Sequence, residues 1–355
     1  MLKLGILEGD DIGPEIVPET VAVMKSAASK FGLEIEWTDF PIGRRAFETL
    51  GTTLPDGTLE RLGQLDGWVL GPIGHQAYPK HPAAINPHPI LRKHFDLFAN
   101  IRPARSYASL PCVHHNVDLV IVRENNEGFQ PDRNMLVGTG EFRPTDELTL
   151  SVRVITRVAS AKVARSAFEL ARSRRRKLTA VHKDTVFKLG CGMFAEECRK
   201  VAVDFPDVAY EETMVDTFAM RLAMQPQRYD VVVTTNMFGD ILSDEAAGLV
   251  GGLGMAPGLS AGPRHAMAQA THGSAPDIAG RGTANPYAMI ISGAMLLDWL
   301  GRTKAIDEAV EAARTIGLAV EQVIETRRDL TPDLGGQGTT SSMAAAVCDA
   351  IGAIS

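Results

Sequence analysis

Short apolar runs alternate with longer segments of helical apolar period along the whole chain, and that alternation restricts it to a layered α/β fold. The strand candidates are Leu2–Leu7, Glu34–Asp39, Gly67–Leu70, Leu119–Arg123, Thr149–Ile155, Leu178–His182, Val208–Glu212 and Asp230–Thr234. The helix candidates are Pro14–Phe31, Ser160–Arg175, Gly192–Asp204, Val215–Met224, Ile241–Val250, Ala284–Leu300, Lys304–Glu325 and Thr339–Ile351. Pro14 suits a first helical turn, where no backbone N–H is needed. A length of 355 residues allows about two domains or one large α/β unit.

Charge and cysteine content narrow the functional class. The chain carries 43 acidic against 36 basic residues, a net charge of −7, which is the wrong sign for a nucleic-acid partner. The basic run Arg172–Lys177 reads as a solvated corner. Cys112, Cys191, Cys198 and Cys348 are scattered, as expected of reduced thiols in a cytoplasmic protein. The apolar stretch after Met1 is too short for a signal segment. Tyr287–Leu300 is interrupted by Ser292, Gly293 and Asp298 and falls short of the ~20 residues that cross a bilayer, so no membrane partner is expected.

The segment from Asp230 to Glu245 carries the clearest chemistry. A buried strand is expected to end at Asn236, a residue suited to an N-cap, and a helix then carries Asp240 and Asp244 at i and i+4 on one face. Like charges at that spacing repel by ~0.2–0.5 kcal/mol on an exposed helix and by more where water is excluded, so a cation between them removes a penalty. Two hard oxygen donors at the carboxyl end of a strand suit Mg²⁺ or Mn²⁺. The plainer reading is that both acids favour the N-terminal part of a helix.

Arginines supply the complementary charge. Arg102 and Arg123 fall at predicted element ends, where a guanidinium can grip a carboxylate through two hydrogen bonds, and Arg92 stands close by in sequence. Each alone reads as a structural ion pair. Three of them beside a divalent-metal site point to a metal-chelating hydroxy-carboxylic acid. Lys183 directly follows an apolar run; burial or a neighbouring cation would suit it to act as a base, whereas most lysines so placed are solvated.

Two segments compete for a nucleotide. Gly190-Cys-Gly192-Met-Phe-Ala195 matches G-x-G-x-x-A and has Glu211 about twenty residues on, but Asp184–Leu189 separates it from the preceding strand. The alternative is the loop His272, Gly273, Ser274, Ala275, Pro276, Asp277 and Ile278, followed by Asn285. Its glycines permit close ligand approach, and Asp277 can accept hydrogen bonds from ribose hydroxyls.

Taken in order, Gly9-Asp-Asp-Ile-Gly-Pro-Glu15, Asp96-Leu-Phe-Ala-Asn-Ile-Arg-Pro103, Asn236-Met-Phe-Gly-Asp-Ile-Leu-Ser-Asp244, His272-Gly-Ser-Ala-Pro-Asp-Ile-Ala279 and Pro332-Asp-Leu-Gly-Gly336 resemble the metal-dependent β-decarboxylating dehydrogenases. That family acts on isopropylmalate, isocitrate, homoisocitrate and tartrate or D-malate. The resemblance implies an isopropylmalate dehydrogenase-like two-domain α/β fold, unlike the usual Rossmann arrangement. Residues 1–98 plus 250–355 would form a discontinuous cofactor-binding domain, and 99–249 the substrate, metal and dimerisation domain. It also implies a homodimer with shared active sites. Arg92, Arg102 and Arg123 would hold the substrate carboxylates, and Asp240 and Asp244 would bind Mg²⁺ or Mn²⁺ with Asp216 of the other subunit. Lys183, also from the other subunit, would take the proton of the substrate hydroxyl. The loop 272–278 and Asn285 would hold the cofactor's adenosine. Asp277-Ile278 is the form associated with NAD, because a carboxylate there repels the 2′-phosphate of NADP.

Two departures bear on activity. The family's tyrosine in R-E-N-x-E-G-x-Y falls on Gln130. The stretch Ile85–Ile90 lacks both a leucine pair for an isopropyl group and an extra arginine for a distal carboxylate, and Asn86 and His88 suggest a small or polar substituent. The expectation is therefore NAD- and metal-dependent oxidation of a D-malate-type 2-hydroxy acid such as malate or tartrate. The alternatives are a 3-isopropylmalate or homoisocitrate dehydrogenase, and a catalytically weak ligand-binding paralogue.

Overall fold

The computed structural model describes residues 1–130, 135 and 138–354. In the first third of the chain lie β1 (Leu2–Leu7), α1 (Gly13–Lys30), β2 (Ile35–Asp39), α2 (Gly43–Leu50), α3 (Thr58–Leu62), β3 (Gly67–Leu70), α4 (Pro87–His94), β4 (Ala99–Arg105) and β5 (Asp118–Glu124). The middle holds β6 (Glu141–Thr145), β7 (Leu148–Ser151), α5 (Arg157–Arg172), β8 (Lys177–His182), α6 (Gly190–Ala202), β9 (Ala209–Met214), α7 (Val215–Met224), β10 (Val231–Thr234) and α8 (Asn236–Val250). The last part contributes β11 (Leu259–Ala261), β12 (Ala266–Ala268), α9 (Tyr287–Lys304), α10 (Asp307–Glu325) and α11 (Thr340–Ala353).

Ten strands make one sheet in the order β2-β1-β3-β12-β11-β4-β5-β10-β8-β9, while β6 and β7 pair by themselves. The sheet is mixed: β11 runs antiparallel to β12 and β4, and β4 antiparallel to β5. It is therefore not the all-parallel sheet of a doubly wound nucleotide fold. Strands from both ends of the chain lie together on one side, and strands of the middle segment on the other.

Burial on both faces explains why the central strands read as unbroken apolar runs. In β5, Val120 and Val122 point into a core with α5 and α6, whereas Leu119 and Ile121 point into a core with α7 and α8. Successive residues of a strand face opposite ways, so one apolar run serves two cores. On the other flank α1, α9, α10 and α11 pack against β1, β3 and β12. The corner Arg172–Lys177 is ion-paired: Arg172 holds Asp207, and Arg174 holds Asp118 and Asp230. No helix among the described residues is long and apolar enough to cross a membrane.

Candidate active site

Strand register brings the arginines together. In the antiparallel pair β4–β5, Asn100 stands opposite Arg123, and Arg102 follows two residues later on the same face. Arg102 therefore lies in mid-strand, not at an element end as expected. On the other side of β5, Thr234 of β10 is in register with Arg123, and α8 starts two residues further on. Gly239 lets α8 approach: a Cβ there would stand 2.6 Å from Arg123 Cβ. The N-cap of α8 is Thr235, whose backbone is extended, whereas Asn236 was the expected cap; the Asn236 side chain instead accepts from Arg123.

Arg102 donates to Asp240 at 3.1 Å and to Ser243 Oγ at 2.8 Å, and its Nη1 lies 3.6 Å from Asp244. Arg123 donates to Asn236 Oδ1 through Nε at 3.0 Å and Nη2 at 2.6 Å, and its Nη1 pairs with Asp240. Both guanidiniums are buried, whereas both carboxylates are half-exposed. Burial pushes the Arg102 pKa down against the pull of the two acids. Burial, together with Asp240, raises the carboxyl of Asp244 although Arg102 opposes it. The site thus holds two like charges four residues apart, bridged by one cation.

Gln130 joins this network by donating to Asn236 Oδ1 at 3.3 Å. Its neighbour Phe129 turns away and, with Phe187 and Phe238, surrounds the Arg153 guanidinium at 4.9–5.5 Å. Beneath them Glu127 accepts from Thr156 N at 2.8 Å and Thr156 Oγ1 at 2.9 Å, and burial lifts its carboxyl from 4.5 to about 7. A carboxyl raised in the fold stabilises while protonated; its contribution is complete below about pH 4.5 and is lost as pH rises through about 7. Melting temperatures across pH 5–8 should fall with rising pH, and E127Q, which mimics the protonated acid, should flatten that slope. An unchanged slope in the variant would remove Glu127 as its source.

Lys183 and Asp216 form a separate pair at 2.7 Å, at the carboxyl end of β8 and the start of α7. Asp216 is largely exposed, and the Lys183 hydrogen bond holds its pKa below the usual carboxylate value. Among the described residues no three potential ligands from one chain converge on a metal position. Asp240 and Asp244 alone still fit a hard cation that keeps several waters. In α4, Arg92 reaches Gln269 Oε1 at 3.4 Å and His88 touches the same amide. Asn86 caps α4, its Oδ1 accepting from His88 N at 3.1 Å.

The loop from His272 to Ile278 lies against the start of α1: Ile12 N donates to Ser274 O, and Gly280 N to Glu15 Oε1. Gly273, Pro276 and Asp277 are exposed; Ser274 is buried; Ala275 adopts φ +45°. His272 donates from Nδ1 to Gly273 O, burial lowers its pKa, and its Nε2 is shielded without a partner. Asp11 Oδ2, Glu15 Oε2 and Arg44 Nη2 are likewise shielded and unpartnered. Asp11 Oδ2 and Arg44 Nη2 lie together beside Gly74, and such orphan atoms fit a polar ligand such as a dinucleotide. Asn285 is occupied, donating to Asp333 at 2.9 Å and accepting from Tyr287 N at 2.9 Å. Gly190–Ala195 opens α6, while Glu211 serves Thr179, Lys177 and Arg228, a structural role. A cavity of about 780 Å³, bordered by Tyr107, Tyr287 and Trp299, includes none of the predicted site residues.

A family model described as isocitrate/isopropylmalate dehydrogenase matches residues 3–347. The chain belongs to the isocitrate/isopropylmalate dehydrogenase family. It is 41% identical to the 3-isopropylmalate dehydrogenase of Archaeoglobus fulgidus over 349 residues, covering 97% of this chain and 98% of the relative. It is also 41% identical to the isocitrate/homoisocitrate dehydrogenase of Thermus thermophilus over 350 residues, 98% of each. The solved isocitrate dehydrogenase from Methylococcus capsulatus superposes with a TM-score of 0.86 at 40% identity, over 99% of both chains. The fold is thus isopropylmalate dehydrogenase-like, as the resemblance implied. These relatives weigh against the malate/tartrate expectation, since their names carry isopropylmalate, isocitrate and homoisocitrate. Sequence reasoning passed over Glu127, Asp11 and Arg44; only burial and orphaned atoms reveal them.

Proposed function

We propose that the chain catalyses oxidation and decarboxylation of a 3-substituted malate of the isopropylmalate/homoisocitrate class, with NAD and Mg²⁺ or Mn²⁺. The carrying observation is the single face on which buried Arg102 and Arg123 meet the carboxylates of Asp240 and Asp244. Two guanidiniums suit the two carboxylates that flank a malate hydroxyl, and Asp240 with Asp244 would hold the cation. Bound there, a divalent cation supplies Lewis acidity toward the substrate oxygens, and NAD supplies the hydride acceptor. Arg92 would complete the anion cradle from α4. Asp277 would hold adenosine ribose hydroxyls, with residues 1–98 plus 250–355 forming the cofactor half and 99–249 the substrate half.

Within this reading the active unit is a homodimer, in which Lys183 and Asp216 of the partner subunit complete each site. Apolar side chains exposed on one chain support this: Met220 and Met224 on α7, Ile241 on α8, and Phe142, Leu148 and Leu150 on β6–β7. An isolated two-stranded sheet is marginal in water and gains from a partner. Lys183 would accept the proton of the substrate hydroxyl. Gln130 can orient an oxygen or a water, but its amide is too weak an acid to replace a phenol.

A panel of 3-isopropylmalate, homoisocitrate, isocitrate, D-malate and tartrate, assayed with Mn²⁺ and either NAD or NADP, tests the reading. The highest kcat/KM should fall on a 3-substituted malate with NAD. The polar wall of His88 and Gln269 favours a carboxylate-bearing substituent over isopropyl. A preference for NADP would refute the role given to Asp277, and a preference for unsubstituted malate would refute the substrate class.

A further inference from the structure

Two residues of the Gly9–Glu15 segment have little freedom, and the function above uses neither. Asp10 accepts from Arg44 N at 2.7 Å, Gly74 N at 2.8 Å and Tyr78 OH at 2.6 Å, which pins the loops after β1 and β3 together. Asp11 follows at φ +52°, a left-handed conformation that few residues other than glycine adopt, although aspartate is among the more tolerant. Its side chain is only 6% exposed, and Oδ1 takes a hydrogen bond from Arg44 Nη1 at 2.9 Å. The second oxygen and the second guanidinium nitrogen are shielded yet have no partner among the described residues.

Those two atoms crowd the same face of Gly74 as Ser274 Oγ. A Cβ added at Gly74 would stand 2.8 Å from Asp11 Oδ2, 2.8 Å from Ser274 Oγ and 3.3 Å from Arg44 Nη2. An acceptor, a donor and a hydroxyl therefore gather at the junction of three loops. A carboxylate accepts only, which disfavours a phosphate, whereas a guanidinium donates only. The group that satisfies both is one that donates and accepts, as a hydroxyl does.

We propose that Asp11, clamped by Arg44 beside Gly74, binds a ribose hydroxyl on the nicotinamide side of the dinucleotide. This rests on the NAD reading above, in which Asp277 already serves the adenosine ribose. Asp11 follows β1 with its side chain buried, whereas Asp277 is exposed on the loop 272–278, so the two carboxylates are separate acceptors for a ligand that carries two riboses.

Calorimetric titration of NADH and of AMP, which lacks the second ribose, separates the possibilities. D11G removes the carboxylate and suits the left-handed backbone, D11N retains one acceptor oxygen, and G74A pushes a methyl into the cluster. D11G and G74A should weaken NADH binding about 10–100-fold, as expected for loss of a hydrogen bond to a charged group, while AMP affinity stays unchanged and D11N falls between. Unaltered NADH affinity in D11G and G74A would overturn the proposal and leave an ordered water as the only guest. Equal losses for NADH and AMP would overturn the assignment to the nicotinamide side. Failure of the unaltered protein to bind NADH at all would overturn the cofactor reading itself.

Discussion

Exchanging Lys183 for alanine should lower kcat by about 10²–10⁴-fold, the usual worth of a positioned general acid–base group, with little change in KM for the cofactor. Lys183 is held by Asp216 at 2.7 Å, and neither touches the cluster around Asp240 within one chain. If each site borrows this pair from the partner subunit, then at an Mn²⁺ concentration that just saturates the unaltered protein K183A and D240N chains each retain little activity alone and complement each other when mixed. In every hybrid dimer one site regains both groups, so random exchange should return about a quarter of the original activity for a two-fold symmetric pair. Verified exchange without recovery would place both functions in one chain.

D240N should raise the Mn²⁺ concentration for half-maximal activity by at least about 10–100-fold, the loss that follows removal of even an outer partner of a metal ligand. The substitution keeps the shape and removes one negative charge from a pair that depends on countercharge. It also withdraws the carboxylate shared by Arg102 and Arg123, leaving two buried guanidiniums short of a counter-ion. A small loss of stability should therefore accompany the metal effect, and a melting scan separates the two. Unchanged metal dependence with intact folding would remove Asp240 from the metal site.

The strands β5, β8 and β10 were legible because burial on both faces favours near-continuous apolar runs, and β1 and β3 because their apolar side chains also feed two cores. The strand β4 was not, and the reason is functional. Asn100 and Arg102 face the site instead of a core, so polar side chains interrupt its apolar run. The apolar period of α8 is clear only from Ile241, although an N-cap at Asn236 was expected and the helix begins there; Gly239 weakens the helical signal, and that same glycine admits the Arg123 side chain. The short helix α4 escaped notice because Pro87 and Pro89 fill its first turn. Motif order identified the residues of the site, whereas register and burial decide how they meet. Asp11 shows the limit of sequence: an acid after Asp10 looks solvated until the structure surrounds it with Arg44, Gly74 and Ser274.

Gln130 is the departure with the clearest chemical consequence. Its amide donates to Asn236 within the Arg123 network, so it occupies the site without offering a phenolic proton. Oxidation needs no acid at that position; reprotonation after loss of CO₂ does. Whether decarboxylation is completed is therefore the central matter, and one measurement addresses it. The preferred substrate is turned over with NAD and Mn²⁺ while NADH and released CO₂ are counted together. One CO₂ per NADH, with neither formed when the metal is chelated, is the predicted result. NADH formed without CO₂, or equally well without metal, would contradict the assignment of this site to metal-dependent oxidative decarboxylation.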